Sequence, residues 1–185
     1  MDKPKYFDDA DKLFSSLPNL PPPVEKPVLV LLCGLPGTGK TYFAQKLIKR
    51  VPAVILESDS LRRILTSIPD YSQSESTRLF SAIHFLSQKL LKTGHSVIID
   101  ATNLIEKQRR HFYDIAASAR AKLVIVRIDA PVGIVQNRLK KRKEMSVSRS
   151  DADWGVYLEM AESFDKIKRK HYSVDTSVDY TEIQS

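Results

Sequence analysis

The sequence predicts an α/β fold: a three-layer αβα sandwich on a mostly parallel five-stranded sheet, with a helical lid. Two observations carry that expectation. Apolar runs without polar alternation recur at 28–33, 53–57, 96–100 and 122–128, with a weaker one near 171–175. Helical patterns separate them, at 39–50, 60–67, about 73–93, 105–120, 131–144 and 151–170. Continuously apolar strands are buried on both faces, which calls for helices above and below a largely parallel sheet. A chain of 185 residues, 42% hydrophobic and 28% charged, can bury such a core as one domain.

Residues 1–26 read as an N-terminal extension, and 27–185 as the sheet-bearing domain. Tyr6, Phe7, Ala10, Leu13, Phe14 and Leu17 recur at i, i+3/i+4 spacing, the pattern of a short amphipathic helix. Pro18, Pro21, Pro22, Pro23 and Pro27 then force an extended connector. An apolar helix face is usually buried on its own protein, so the helix is expected to pack on the domain surface, with partner docking the rarer use. The N-terminus carries no signal-peptide core, and no run approaches the ~18 apolar residues of a membrane span. The single cysteine, Cys33, reads as a small buried hydrophobe and suits a reducing cytoplasm. His84, His95, His111 and His171 lack ligand spacing, so no zinc site is expected. A net charge of +7 favours anionic partners, whether nucleotides, phosphorylated metabolites or nucleic acids.

The first strand runs into Gly34-Leu35-Pro36-Gly37-Thr38-Gly39-Lys40-Thr41, a full match to G-x-x-x-x-G-K-[ST] between a strand and a helix. Glycines let several backbone N–H groups turn toward one anion, and the helix N-terminus adds its dipole. Lys40 is placed to reach the β- and γ-phosphates, the Thr41 hydroxyl to join a Mg²⁺ shell, and Tyr42 to flank the nucleotide. ATP and Mg²⁺ are the ligands this implies. A dinucleotide fingerprint starting at Gly37 fails, because Tyr42 stands where the third glycine belongs.

In such folds ligands sit beyond the carboxyl ends of the strands. After the second strand comes Ser58-Asp59-Ser60-Leu61-Arg62. Asp59 can accept the proton of an attacking hydroxyl, or it can cap the next helix; Arg62, on the same face, can hold an anionic acceptor. After the third strand comes Asp100-Ala101-Thr102-Asn103. Asp100 is placed to face Mg²⁺, directly or through water. Ala101 stands where many ATP-hydrolysing motors carry a glutamate that activates water, which favours transfer over hydrolysis. Thr102 and Asn103 either line the acceptor pocket or cap the helix near Ile105. The stretch from Arg138 to Arg149, six Lys/Arg against one Glu, forms the lid at about 138–150. Arg138 and Arg142 share a helix face and can both point at phosphate. No aromatics interleave these charges, against a dedicated nucleic-acid patch. Ser150-Asp151-Ala152-Asp153 reads as a fresh helix cap.

Taken together, GLPGTGKT, strand-SDSLR, strand-DATN and the basic lid resemble the P-loop kinase group that includes polynucleotide 5′-hydroxyl kinases and zeta-toxin-like kinases. The resemblance covers about residues 28–177. It implies ATP and Mg²⁺ at Lys40 and Thr41, Asp59 as base, Arg62 at the acceptor and Asp100 at the metal or the loop. It also implies Arg109 or Arg110 in the helix after DATN, with Arg109 taken for the substrate side. Arg138 or Arg142 would be the lid arginine, and Thr176 would line the adenine. The implied activity is transfer of the γ-phosphate of ATP to a hydroxyl, with a nucleic-acid 5′ end ranked just ahead of other acceptors. The alternatives are a sugar, nucleoside or antibiotic kinase, and a nucleotide-dependent switch that binds a protein partner through the N-terminal helix.

Overall fold

A computed structural model describes residues 5–145 and 152–177. Helix α1 spans Lys5–Ser15, and strand β1, Val28–Cys33, leads into α2, Lys40–Leu47. Strand β2 (Val54–Glu57) is followed by α3 (Ser58–Leu65) and α4 (Gln73–Lys92). Then come β3 (Val97–Asp100), α5 (Glu106–Ser118), β4 (Lys122–Asp129), α6 (Val132–Met145), α7 (Trp154–Glu162) and β5 (Tyr172–Asp175). The strands form one sheet in the order β2-β3-β1-β4-β5, every pairing parallel. The expected α/β architecture is therefore present.

The apolar strand runs follow from burial on both faces. Leu29, Leu31 and Cys33 of β1 point to one side with Val97, Ile99, Val54 and Leu56, where α1, α4 and α5 cover them. Val30 and Leu32, with Ile98, Val126 and Ile128, point to the other, against Ala44, Phe43 and Leu47 of α2. Alternate residues serving opposite layers is what the two-residue period of a strand requires. A smaller cluster joins Val135 and Leu139 of α6 to Tyr157 of α7, beneath Leu35 of the glycine-rich loop.

Helix α1 is part of the larger core. Ala10 and Leu13 are fully buried there, and Asp9, also buried, accepts two hydrogen bonds from Arg78 of α4, one of them 2.7 Å. Phe7 meets Phe85 edge-on at 4.7 Å, and the Lys89 ammonium sits 4.5 Å from the centre of the Phe14 ring. The proline connector then crosses the α4–β3 turn, where the Val24 N–H donates to Gly94 O at 2.8 Å.

Several boundaries differ from the sequence expectation, two of them beside the site. Helix α3 starts at Ser58, with Glu57 in the N-cap position, rather than near residue 60. The helix expected over 151–170 is only Trp154–Glu162, capped by Asp153, whose carboxylate accepts from the Val156 N–H at 3.1 Å. Beyond it the chain leaves the helix, with Phe164 and Ile167 packed in the main core, and the lysine-rich composition hid that change. Ser150 and Asp151, and with them part of the expected cap and lid, lie outside the described residues.

Candidate active site

The loop after β1 is shaped by what surrounds its glycines. A Cβ on Gly34 would lie 2.4 Å from the Ile128 carbonyl oxygen, so only glycine fits between β1 and β4. Gly37 and Gly39 have φ of +79° and +96°, the left-handed region that favours glycine. Gly39 occupies the N-cap position of α2 and supplies no side-chain cap, which leaves first-turn N–H groups of that helix for an anion. The Lys40 ammonium donates to Leu35 O at 3.0 Å, and the Thr38 hydroxyl donates to the same oxygen at 2.8 Å. Burial pushes the Lys40 pKa down, while the nearby carboxylates of Asp100 and Asp59 pull it back up.

Asp100 ends β3 in register with Glu57 at the end of β2, so parallel pairing brings the segments after both strands to the side of the phosphate loop. The Asp100 carboxyl is buried; burial pushes its pKa up, and a hydrogen bond from the Thr41 hydroxyl holds it down. Among the described residues its Oδ2 has no hydrogen-bond partner. An orphaned, buried carboxylate oxygen beside a threonine hydroxyl and a phosphate loop suits Mg²⁺, which takes one or two carboxylates and completes its shell with phosphate oxygens and water. Asp59 lies in the first turn of α3, two residues past the N-cap position that Glu57 holds.

These groups converge. A cavity of about 340 Å³ is lined by Gly37, Lys40, Thr41, Asp59, Asp100 and Thr102, and reaches Arg62 and Arg142. A second hollow, about 740 Å³, is lined by Tyr42, Lys46, Arg138, Asp175 and Thr176. Gly39 and Arg142 border both. The loop thus has one compartment facing the acids and another facing α2, α6 and the end of β5.

Four expected site residues stand otherwise than expected. Arg109 is not among the residues lining either hollow: its side chain is fully buried and donates to the carbonyls of Asn103 (2.8 Å), Leu104 (2.6 Å), Asp165 (2.9 Å) and Lys166 (3.2 Å), while pairing with Glu106 at 2.9 Å. Asn103 is buried too, with its amide donating to Leu32 O at 2.6 Å, so it ties β3 to β1 and does not face the cavity. Helix α5 is capped by neither Thr102 nor Asn103; Ile105 holds the N-cap position. Arg138 lies in the second compartment, apart from the acids, and donates to Thr176 Oγ1 at 2.8 Å and Thr176 O at 2.6 Å. Arg62 does line the first cavity, but its guanidinium is paired with Glu75 and stacked 4.7 Å from the Tyr71 ring.

Sequence reasoning missed Tyr71, Phe80, Val156 and Met160, which also line the first cavity. Phe80 is disguised by the core periodicity of α4. Val156 and Met160, four apart on α7, offered a visible pair.

A family profile described as "AAA domain" matches residues 29–167. The L-seryl-tRNA(Sec) kinase of Methanococcus maripaludis is 27% identical over 169 residues, 84% of this chain and 63% of that protein. The chain thus spans less than two thirds of that relative. Among solved structures, the Mycobacterium tuberculosis APS kinase CysC, in complex with AMPPNP and APS, superposes with a TM-score of 0.61 at 19% identity, over 85% of this chain and 92% of that one. A chain of the Pnkp1/Rnl/Hen1 RNA repair complex gives 0.61 at 25% identity, over 76% of this chain and 47% of its own length. The fold is that of the P-loop kinases.

Proposed function

The chain belongs to the AAA domain family, and on that premise we propose that it is an ATP- and Mg²⁺-dependent kinase transferring the γ-phosphate to an acceptor hydroxyl. The observation that carries this reading is the single cavity shared by the phosphate loop, Asp59 and Asp100. A loop alone would hold a nucleotide; a carboxylate across the cavity gives the loop a second substrate to serve. The named activities of the seryl-tRNA kinase relative and the APS kinase neighbour agree with it.

In this reading Lys40 leaves Leu35 O for the β- and γ-phosphates, and the glycine N–H groups hold the phosphate oxygens in place. Asp59 orients the acceptor hydroxyl and takes its proton as the oxygen bonds to the γ-phosphorus and the bond to the ADP oxygen breaks. Arg142, at the seam of the two compartments, balances the charge spread over the transferring group. Thr41 and Asp100 would hold Mg²⁺, which when bound neutralises phosphate charge. Tyr42, Arg138 and Thr176 would flank the base of ATP in the second compartment. The switch alternative has less behind it, because the apolar face of α1 is occupied by α4. Among the described residues no helix is long and apolar enough to cross a membrane. The buried Cys33 thiol, its pKa pushed up to about 12 by burial, fits a reducing cytoplasm.

Single-turnover transfer by Asp59→Ala tests the assignment. The chemical step is expected to slow by a factor of ~10² or more while ATP affinity holds. Unchanged transfer would remove Asp59 from the base role.

A further inference from the structure

We propose that the acceptor is a small, uncharged alcohol carrying a flat, stackable ring, seated among Tyr71, Phe80, Val156 and Met160, its hydroxyl toward Asp59. The proposal rests on the kinase reading and deepens it. The four wall residues come from three separate elements: the loop before α4, α4 itself and α7. Aromatic and aliphatic walls around a few convergent polar groups are the usual make-up of a small-molecule site, and about 340 Å³ is near the lower end for one.

Charge argues for neutrality. Among the described residues lining this cavity the cations are Lys40, Arg62 and Arg142. Lys40 belongs to the loop, and Arg142 lies at the seam with the nucleotide compartment. Arg62, the cation on the acceptor side, is already paired with Glu75, with the two side chains 7% and 9% exposed, and it also reaches Ser76 at 3.4 Å. Glu57 and Asp59 add carboxylates on the same side. A phosphorylated acceptor or a nucleic-acid strand would meet the carboxylates of Glu57 and Asp59 there, with its matching arginine taken.

The same pairing supports the aromatic floor. Glu75 also accepts the Asp70 N–H at 2.9 Å, which pins the loop carrying Tyr71. Tyr71 lies over the clamped guanidinium at 4.7 Å and has a φ of +55°. A bulky residue in that region is strained and persists only where its surroundings hold it, a condition frequent at ligand clamps. Arg62 is then a positioning residue for Tyr71, and the ring is the contact surface.

Transfer from labelled ATP in Mg²⁺ to a matched panel tests this: adenosine and uridine (flat, neutral), their 3′-monophosphates (flat, charged), glucose (neutral, not flat), glucose 6-phosphate, and a 5′-hydroxyl oligonucleotide. The nucleosides are expected to exceed every other member in kcat/KM by about tenfold or more. Tyr71→Ala should raise the acceptor KM at least ~10-fold, the loss of one stacking surface, with kcat little changed, whereas Tyr71→Phe should keep the wild-type KM. Equal or better use of a 3′-monophosphate, the oligonucleotide or glucose would overturn the proposal. So would a panel with no acceptor at all while Mg-ATP still binds, an outcome that leaves the kinase reading standing. Failure to bind Mg-ATP, or hydrolysis indifferent both to acceptors and to Asp59→Ala, would instead sink the kinase reading.

Discussion

Replacing Arg109 by methionine separates a structural arginine from a substrate-binding one. The native side chain is fully buried and holds two segments together, the 103–104 turn after β3 and the 165–166 segment after α7. Methionine keeps most of the volume and removes every donor. It leaves the Glu106 carboxylate, on a side chain only 13% exposed, without its cation; breaking a buried pair in this way costs about 3–5 kcal/mol. The Asn103 carbonyl is buried with it and adds ~1–3 kcal/mol if it stays dry, whereas Leu104 O keeps the Asp165 N–H at 3.1 Å, and Asp165 and Lys166 are exposed residues whose carbonyls water can reach. Relaxation will take back part of that sum, so the expected loss is about 4–6 kcal/mol. At ~2–4 °C per kcal/mol for a domain of this size, the thermal midpoint should fall by roughly 10–20 °C.

Urea unfolding is the assay, and the one tryptophan is well placed for it. Trp154 stacks on Tyr157 at 4.8 Å in α7, the helix whose exit Arg109 secures, so its fluorescence reports release of that helix. Arg109→Lys should recover little, because one ammonium cannot span carbonyls on both segments. The refuting result is specific: an unmoved urea midpoint together with a hundredfold loss in kcat/KM for the acceptor would return Arg109 to the substrate.

Other perturbations test different parts of the structure. Leu13→Ala, at a fully buried position of α1, should cost about 2–5 kcal/mol in urea unfolding; a neutral result would mean that α1 is not held in the core. His84 packs against Phe80, His111 and Phe112, and burial, with His111 adding to it, lowers its pKa to about 4. A depressed histidine favours folding where it is neutral in both states, so this contribution, up to ~3 kcal/mol, is complete above about pH 6.5 and is lost as pH falls toward 4. His84→Leu should therefore flatten stability against pH across that window. Gly39→Ala combines a φ of +96° with a Cβ 3.1 Å from Thr176 Oγ1, and should weaken ATP binding by about tenfold or more in a direct titration.

What could be read from the sequence is what lies close along it. The strand, glycine loop and helix from Val28 to Leu47 are one continuous segment, and Asp59 and Asp100 were found by position, as polar residues just past apolar strands. Parallel pairing then brings all three together without further information. Residues whose role depends on a distant partner were misjudged. Arg109 bonds across 56 positions to Asp165, and Asn103 across 71 to Leu32, so neither local spacing nor composition marks them as ties. Arg62 looked like an anion contact because its neutralising Glu75 lies on the next helix.

The polar residues that flank the phosphate loop share a physical purpose. On one side of the phosphate loop, Thr102 O accepts the Gly34 N–H at 3.0 Å and the Asn103 amide holds Leu32 O, fixing the segment after β3 to the end of β1. On the other side, the Thr176 hydroxyl donates to Thr38 O at 2.5 Å, its N–H donates to Asp129 O at 2.9 Å, and Arg138 of α6 holds both Thr176 oxygens. The loop is therefore gripped from both neighbouring strands, and donors fixed before a ligand arrives need no reorganisation when charge develops. This explains why the two lid arginines part ways. Arg138 is anchored as part of the grip, and Arg142, one turn later on the same helix, is carried to the seam where the transferring phosphate would lie. A polar residue near a phosphate loop is thus as apt to hold the loop as to hold the substrate.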